Sequence, residues 1–314
     1  MKPIDLSRIQ FGAVAWAYEM LVPGDVSGFR RVAEKVAALP FPKRAEVIEI
    51  LDVLDEESHA AHSIASTEII KIASDLGLRV IVTGFTPNNM PYHLTSQDAE
   101  ERKQSIQRMK RGIAHAFSVA EPGKGILNGP SYMRHEYFPE NGLREGEHDL
   151  LVDILRNEIA PVAADLGVKV ALEPLNHDEG YLLMPGNEAL HVIYRVDSPN
   201  IGLNLDTVHY AQNAEDRVDY SLSQALREGA GFTLHLSEHD RKQWGRGDLG
   251  SRTYEILKSV SENIPSGRVL PITLENFCPA LHKALKIHRP DKDNPEKIVY
   301  SGARFIKGCY MKGF

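Results

Sequence analysis

Cysteine is nearly absent: Cys278 and Cys309 are the only two in 314 residues. Two thiols cannot staple a small secreted fold, and without clustered spacing they cannot build a structural zinc site. Long apolar runs are missing as well. No stretch approaches the roughly twenty residues that cross a bilayer, and Asp5 and Arg8 interrupt the amino terminus, MKPIDLSRIQFG, where a signal peptide needs an apolar core. A reducing cytoplasm is the expected setting, with no membrane partner. Excess positive charge is also lacking. The formal net charge is −7, so no field gathers nucleic acid or an anionic surface, and a small neutral substrate fits better. Internal repeats and low-complexity tracts, which would mark solenoids or disordered tails, are not visible.

What remains is ordinary globular material, 42% hydrophobic and 25% charged, enough for a large core. Short β-rich apolar runs alternate with longer segments of helical spacing. The pattern predicts eight strands, near Gln10–Ala15, Ala45–Leu51, Arg79–Phe85, Lys124–Asn128, Val168–Glu173, Ile201–Asp206, Gly231–His235 and Leu270–Glu275. Helical patterns fall over 25–39, 66–77, 95–120, 147–167 and 221–231, several opened by Ser, Thr or Asp and closed by Gly. Eight alternations point to an α/β fold, a single (β/α)8 TIM barrel over 1–314 with an extended C-terminal segment from about Pro279. A doubly wound sheet has the same alternation but favours a glycine-rich first turn, and the first strand here runs into AWAYE.

Four ionisable residues sit at the carboxyl ends of the last four strands: Glu173 in VALEPLN, Asp206 in IGLNLDTVH, His235 in GFTLHLSEHDR and Glu275 in LPITLENF. In a barrel that end carries the active site. Taken singly, each carboxylate is as readily a salt bridge to a neighbouring Arg or Lys, and a lone strand histidine is usually core. Three carboxylates facing one imidazole instead favour a cation. That oxygen-rich set suits Mn²⁺, Mg²⁺ or Co²⁺ with open positions better than a closed tetrahedral zinc.

The segments E-P-L-N, L-D-T-x-H, H-x-S-E-x-D-R and E-x-F, in that order, resemble the ketose 3-epimerases of the D-tagatose and D-psicose (allulose) type, members of the xylose-isomerase-like barrels. The resemblance implies that Glu173, Asp206, His235 and Glu275 bind one divalent metal, Mn²⁺ first, and that Glu173 and Glu275 are also the catalytic acid/base pair. It implies that Glu179, His209 and Arg241 hold the substrate, a free ketose inverted at C3, and that the enzyme is a homodimer or homotetramer. An aldose-ketose isomerase and an inosose-type dehydratase are the nearest alternatives on the same barrel. A metal-dependent endonuclease and a non-catalytic sugar-binding module stand further off, the former opposed by the acidic charge.

The chain departs from that family after Arg241, where Lys242 and Trp244 precede Gly245 and Gly247 in place of Gly then Pro. Trp16 and Tyr18 are candidate pocket walls or core. His59 and His62, spaced i,i+3, could bind metal but read better as a solvated helix face. Cys278 has no evident activating base. EPGKGILNGP lacks the Lys-Ser/Thr ending of a phosphate loop and reads as a turn into strand four. Arg134, Lys242 and Arg246 could hold a phosphate or be solvated.

Overall fold

The computed structural model describes residues 4–19, 21, 24–52, 56–86, 90, 92–213, 218–241, 243–276 and 294–312, and of 56–64, 295 and 312 the backbone only. Among them, eight parallel strands close into a barrel in chain order: β1 Ile9–Val14, β2 Val47–Asp52, β3 Arg79–Gly84, β4 Ile126–Gly129, β5 Lys169–Leu172, β6 Ile201–Asp206, β7 Gly231–Leu236 and β8 Leu270–Leu274. Each strand is buried along nearly its whole length, because one face packs the barrel interior and the other the surrounding helices. The barrel closes where β1 meets β8, with Ile9 opposite Leu270 and Ala13 opposite Leu274. Gly12 permits that packing on the β2 side: a Cβ there would lie 2.0 Å from the Val47 carbonyl oxygen.

The helices start and stop for local reasons. Asp25 caps Val26–Ala37 by accepting from the Gly28 N–H, and Asp98 caps Ala99–Ser118 by accepting from Glu100 and Glu101. The expected helix over 147–167 is interrupted. Glu147–Ile154 passes through a π-turn, Leu155–Ile159, into Ala160–Asp165, and the reason is Pro161, which removes a ladder donor. After β6 the chain turns straight into a short helix, Thr207–Asn213, where the sequence pattern marks none, and the helix expected over 221–231 runs over Val218–Arg227.

Strand boundaries fall within two residues of the sequence pattern, and one difference matters. Glu173 and Glu275 stand one residue beyond β5 and β8, each still tied to the neighbouring strand through its N–H, Glu173 to Gly129 O and Glu275 to Leu236 O, both at 3.2 Å. His59 and His62 fall in the helix Glu56–Asp75, where their side chains lie outside the described residues, as does Cys278. EPGKGILNGP does form a turn into β4, with Gly123 at φ 74° and the Lys124 N–H donating to Glu121 O. The helix Pro295–Lys312 packs back on the barrel: a Cβ on Gly302 would touch Leu274 and Trp244.

Candidate metal centre at the carboxyl end of the barrel

The carboxyl ends of β5 to β8 bring Glu173, Asp206, His235 and Glu275 together. Each offers one ligand atom, and these atoms all lie within 4.8 Å of one another. All four side chains are buried. His235 turns Nδ1 toward the group, 3.6 Å from Glu173 Oε1 and 3.4 Å from Glu275 Oε2. Three carboxylates so close in a dry interior repel one another and demand a cation. The donor set itself, hard oxygens plus one imidazole nitrogen, fits a divalent ion.

Arg241 supplies the positive charge of the protein itself. Its Nη1 donates to Asp206 Oδ2 at 2.5 Å, to Ser237 Oγ at 2.9 Å and to Glu275 Oε2. Its backbone is held at φ 53°, an arrangement that costs a side-chain-bearing residue about 1 kcal/mol. A turn to the Glu238 carbonyl stabilises it. Burial would raise the Glu275 pKa, but Arg241 and His235 outweigh it and hold the carboxyl well below its usual range. For Asp206 burial wins over Arg241 and His209, and the pKa is pushed up to about 6. Burial alone would lower the His235 pKa, yet the Glu49, Glu275 and Glu173 carboxylates hold it well above its ordinary value.

The three residues expected to hold substrate gather at the rim. Asn176 donates from its backbone and side chain to His209 Nδ1, and His209 Nε2 lies 3.1 Å from Arg241 Nη2 and 3.6 Å from Glu173 Oε1. Glu179 accepts from Asn176 Nδ2 at 3.0 Å and pairs with His135 Nε2 at 2.9 Å. Although burial opposes it, the charges of His209, His135 and Arg241 keep Glu179 ionised far below the usual carboxylate range. Glu173, Glu179, His209, Arg241 and Glu275 line one cleft with Trp16, Phe85, Leu175 and His135.

Other expectations resolve differently. Trp16 is a pocket wall, whereas Tyr18 is buried beside it without lining the cleft. Trp244 is core: fully buried, its indole N–H donates to Thr253 Oγ1 at 2.9 Å. Lys242 lies outside the described residues. Arg134 stacks 3.8 Å over the Tyr137 ring and Arg246 is exposed; neither lines the cleft.

Several residues of the site escaped the sequence reading: Asn176 and Ser237, which orient His209 and Arg241, His135 on Glu179, and a polar layer below the metal centre. In that layer Glu49 of β2 meets Thr83, Asn128, His235 and Thr273. The available signal was Glu49 itself, an acid inside the apolar run VIEIL.

Residues 43–273 match the xylose isomerase-like TIM barrel family. Over 234 residues the chain is 35% identical to the D-psicose 3-epimerase of Ruminiclostridium cellulolyticum, covering 70% of each. Over 219 residues it is 32% identical to the ketose 3-epimerase of Arthrobacter globiformis, covering 68% of this chain and 71% of that protein. The solved D-allulose 3-epimerase from Methylomonas sp. in complex with D-allulose shares the fold, with a TM-score of 0.78 at 21% identity over 96% of this chain and 97% of that one.

Proposed function

The chain belongs to the xylose isomerase-like TIM barrels, and within them we propose that it is a metal-dependent ketose 3-epimerase. The observation that carries this reading is the pairing of four converging metal donors with Glu179, His209 and Arg241 on one cleft. Glu173, Asp206, His235 and Glu275 would hold the ion, Mn²⁺ in the first instance with Co²⁺ or Mg²⁺ as substitutes. When bound it supplies Lewis-acid polarisation of the ketose carbonyl and its neighbouring hydroxyl, worth several kcal/mol.

The protein's own residues divide the proton work. One of Glu173 and Glu275 removes the proton from C3 and the other returns a proton from the opposite face, which inverts the carbon through an enediolate. His209 and Arg241 hydrogen-bond the carbonyl side of the substrate, where negative charge grows, and Glu179 orients a hydroxyl. Because Arg241 already touches Asp206 and Glu275, its shift onto substrate would couple binding to the release of Glu275 as a base.

The expected outcome in D₂O, with Mn²⁺ and free C4 to C6 ketoses followed by NMR, is deuterium on C3 of the epimer. Deuterium on C1 or C2 would make the protein an aldose-ketose isomerase, and a new ultraviolet chromophore would make it a dehydratase. Glu275→Gln should keep the folded barrel and abolish turnover; near-normal epimerisation in that variant would sink the two-glutamate scheme. The same reading carries one TIM-barrel unit over 1–314 with an appended C-terminal segment, a cytoplasmic setting, and a homodimer or homotetramer that sedimentation can test.

A further inference from the structure

Glu49 lies in the middle of β2, fully buried in the barrel interior, and the scheme above does not use it. An isolated carboxylate there would cost several kcal/mol. Donors surround it instead. Asn128 Nδ2 reaches Oε1 at 2.9 Å, Thr273 Oγ1 reaches Oε2 at 3.0 Å, and the Thr83 hydroxyl is within bonding distance of Oε1. The fourth partner is His235, whose Nε2 lies 2.9 Å from Oε1 and 3.1 Å from Oε2. This contact crosses the barrel from β7 to β2.

The direction of that bond follows from the chemistry. A carboxylate only accepts, so Nε2 donates, and the other ring nitrogen, Nδ1, faces Glu173 and Glu275. We infer that Glu49 is a positioning residue for the metal centre: by fixing the ring orientation of His235 and keeping a proton on Nε2, it reserves the Nδ1 lone pair for the ion. Oriented in this way, the imidazole is also a more basic ligand. An amide at position 49 would still accept from His235 with its oxygen while its NH₂ donates to the Thr273 hydroxyl, but it lacks the negative charge that makes the imidazole the more basic ligand. The inference rests on the metal reading of the site but not on which sugar is turned over.

Two measurements test it. In metal-free wild-type protein labelled with ¹⁵N-histidine, and assigned by the resonances missing from His235→Asn, the His235 Nε2 should show a directly bonded proton. An unprotonated Nε2 overturns the proposal without any variant at position 49. Calorimetric titration with Mn²⁺ should then show Glu49→Gln binding about 10- to 100-fold more weakly than wild type, the usual effect of removing a ligand's hydrogen-bond partner. Thr273→Val, which removes a donor to Glu49 but leaves the Glu49–His235 bond in place, should stay near the wild-type affinity, whereas a merely structural Glu49 would make affinity follow melting temperature in both variants. Equal Mn²⁺ affinity in wild type and folded Glu49→Gln refutes the role. A wild type that binds no Mn²⁺ refutes the metal reading instead, and the protonation of Nε2 still decides what Glu49 does to His235.

Discussion

A buried carboxylate survives in this interior only where donors converge on it, and Glu147 is a second instance. It sits at the start of the helix Glu147–Ile154, accepting from Thr95 Oγ1 at 2.7 Å, Tyr181 at 2.9 Å and Arg144 Nη2 at 2.6 Å. Burial would raise its pKa, but the bonds from His93, Arg144 and Thr95 outweigh it and depress the value strongly. A depressed carboxyl contributes stability that is fully present above its unfolded value of about 4.3 and is lost as pH falls toward the folded value. Glu147→Gln should therefore lower stability near neutrality by about 2–3 kcal/mol and flatten the decline below about pH 4, as urea unfolding at stepped pH would show. An equally steep acid decline in the variant would assign that loss to other groups. Such residues also mark where the sequence was readable. Glu173, Asp206, His235 and Glu275 each end an apolar run, so one strand-end rule found all four. Glu49 and Glu147 did not stand out, because an acid within a strand or at a helix start has many innocent partners, and only the fold shows that His235 and Thr95 are theirs.

At the level of elements, the strands were legible and their connections were not. Apolar runs bounded by Gly and polar residues define eight strands regardless of tertiary context, whereas the π-turn at Leu155–Ile159 and the early helix Thr207–Asn213 depend on which backbone donors remain unpaired. The loop after β7 is the clearest case. The sequence marked it by its departure from Gly-Pro, and the structure shows what organises it: Glu238 Oε1 accepts from the backbone N–H groups of Gly245, Gly247 and Gly250 at 3.1, 3.1 and 2.8 Å. A Cβ on Gly250 would strike that carboxylate at 2.4 Å, so the glycines and the acid are mutually required. Glu238 also fixes the turn that aims Arg241. Glu238→Ala should leave the barrel folded but loosen this loop and raise KM more than it lowers kcat. An unchanged KM would separate the loop from substrate binding.

For the whole molecule, the two ends of the barrel have opposite tasks. The carboxyl end gathers acids, while at the amino end a cavity of about 710 Å³ is ringed by Arg44, Arg79, Lys124, Lys169 and Arg268. Arg79 donates to Lys124 O, Lys169 to Pro199 O and Arg268 to Gly229 O, so these cations satisfy carbonyls at connection ends and suit the negative ends of the helices arriving there. If a divalent ion joins the carboxyl end, Mn²⁺ at about a hundred times its dissociation constant should add roughly 2.7 kcal/mol and raise Tm by about 5 °C, reversed by chelator. A melting curve indifferent to both would remove the ion from the site. Closure of β1 on β8 also sets a timetable for synthesis. Glu49 emerges from the ribosome 186 residues ahead of His235 and 224 ahead of Thr273. At roughly 5–20 residues per second, that leaves an acid destined for the interior waiting some ten to forty seconds for its partners. Throughout that interval the first strand keeps an open edge, so the nascent half-barrel is the stage at which this chain most needs a chaperone.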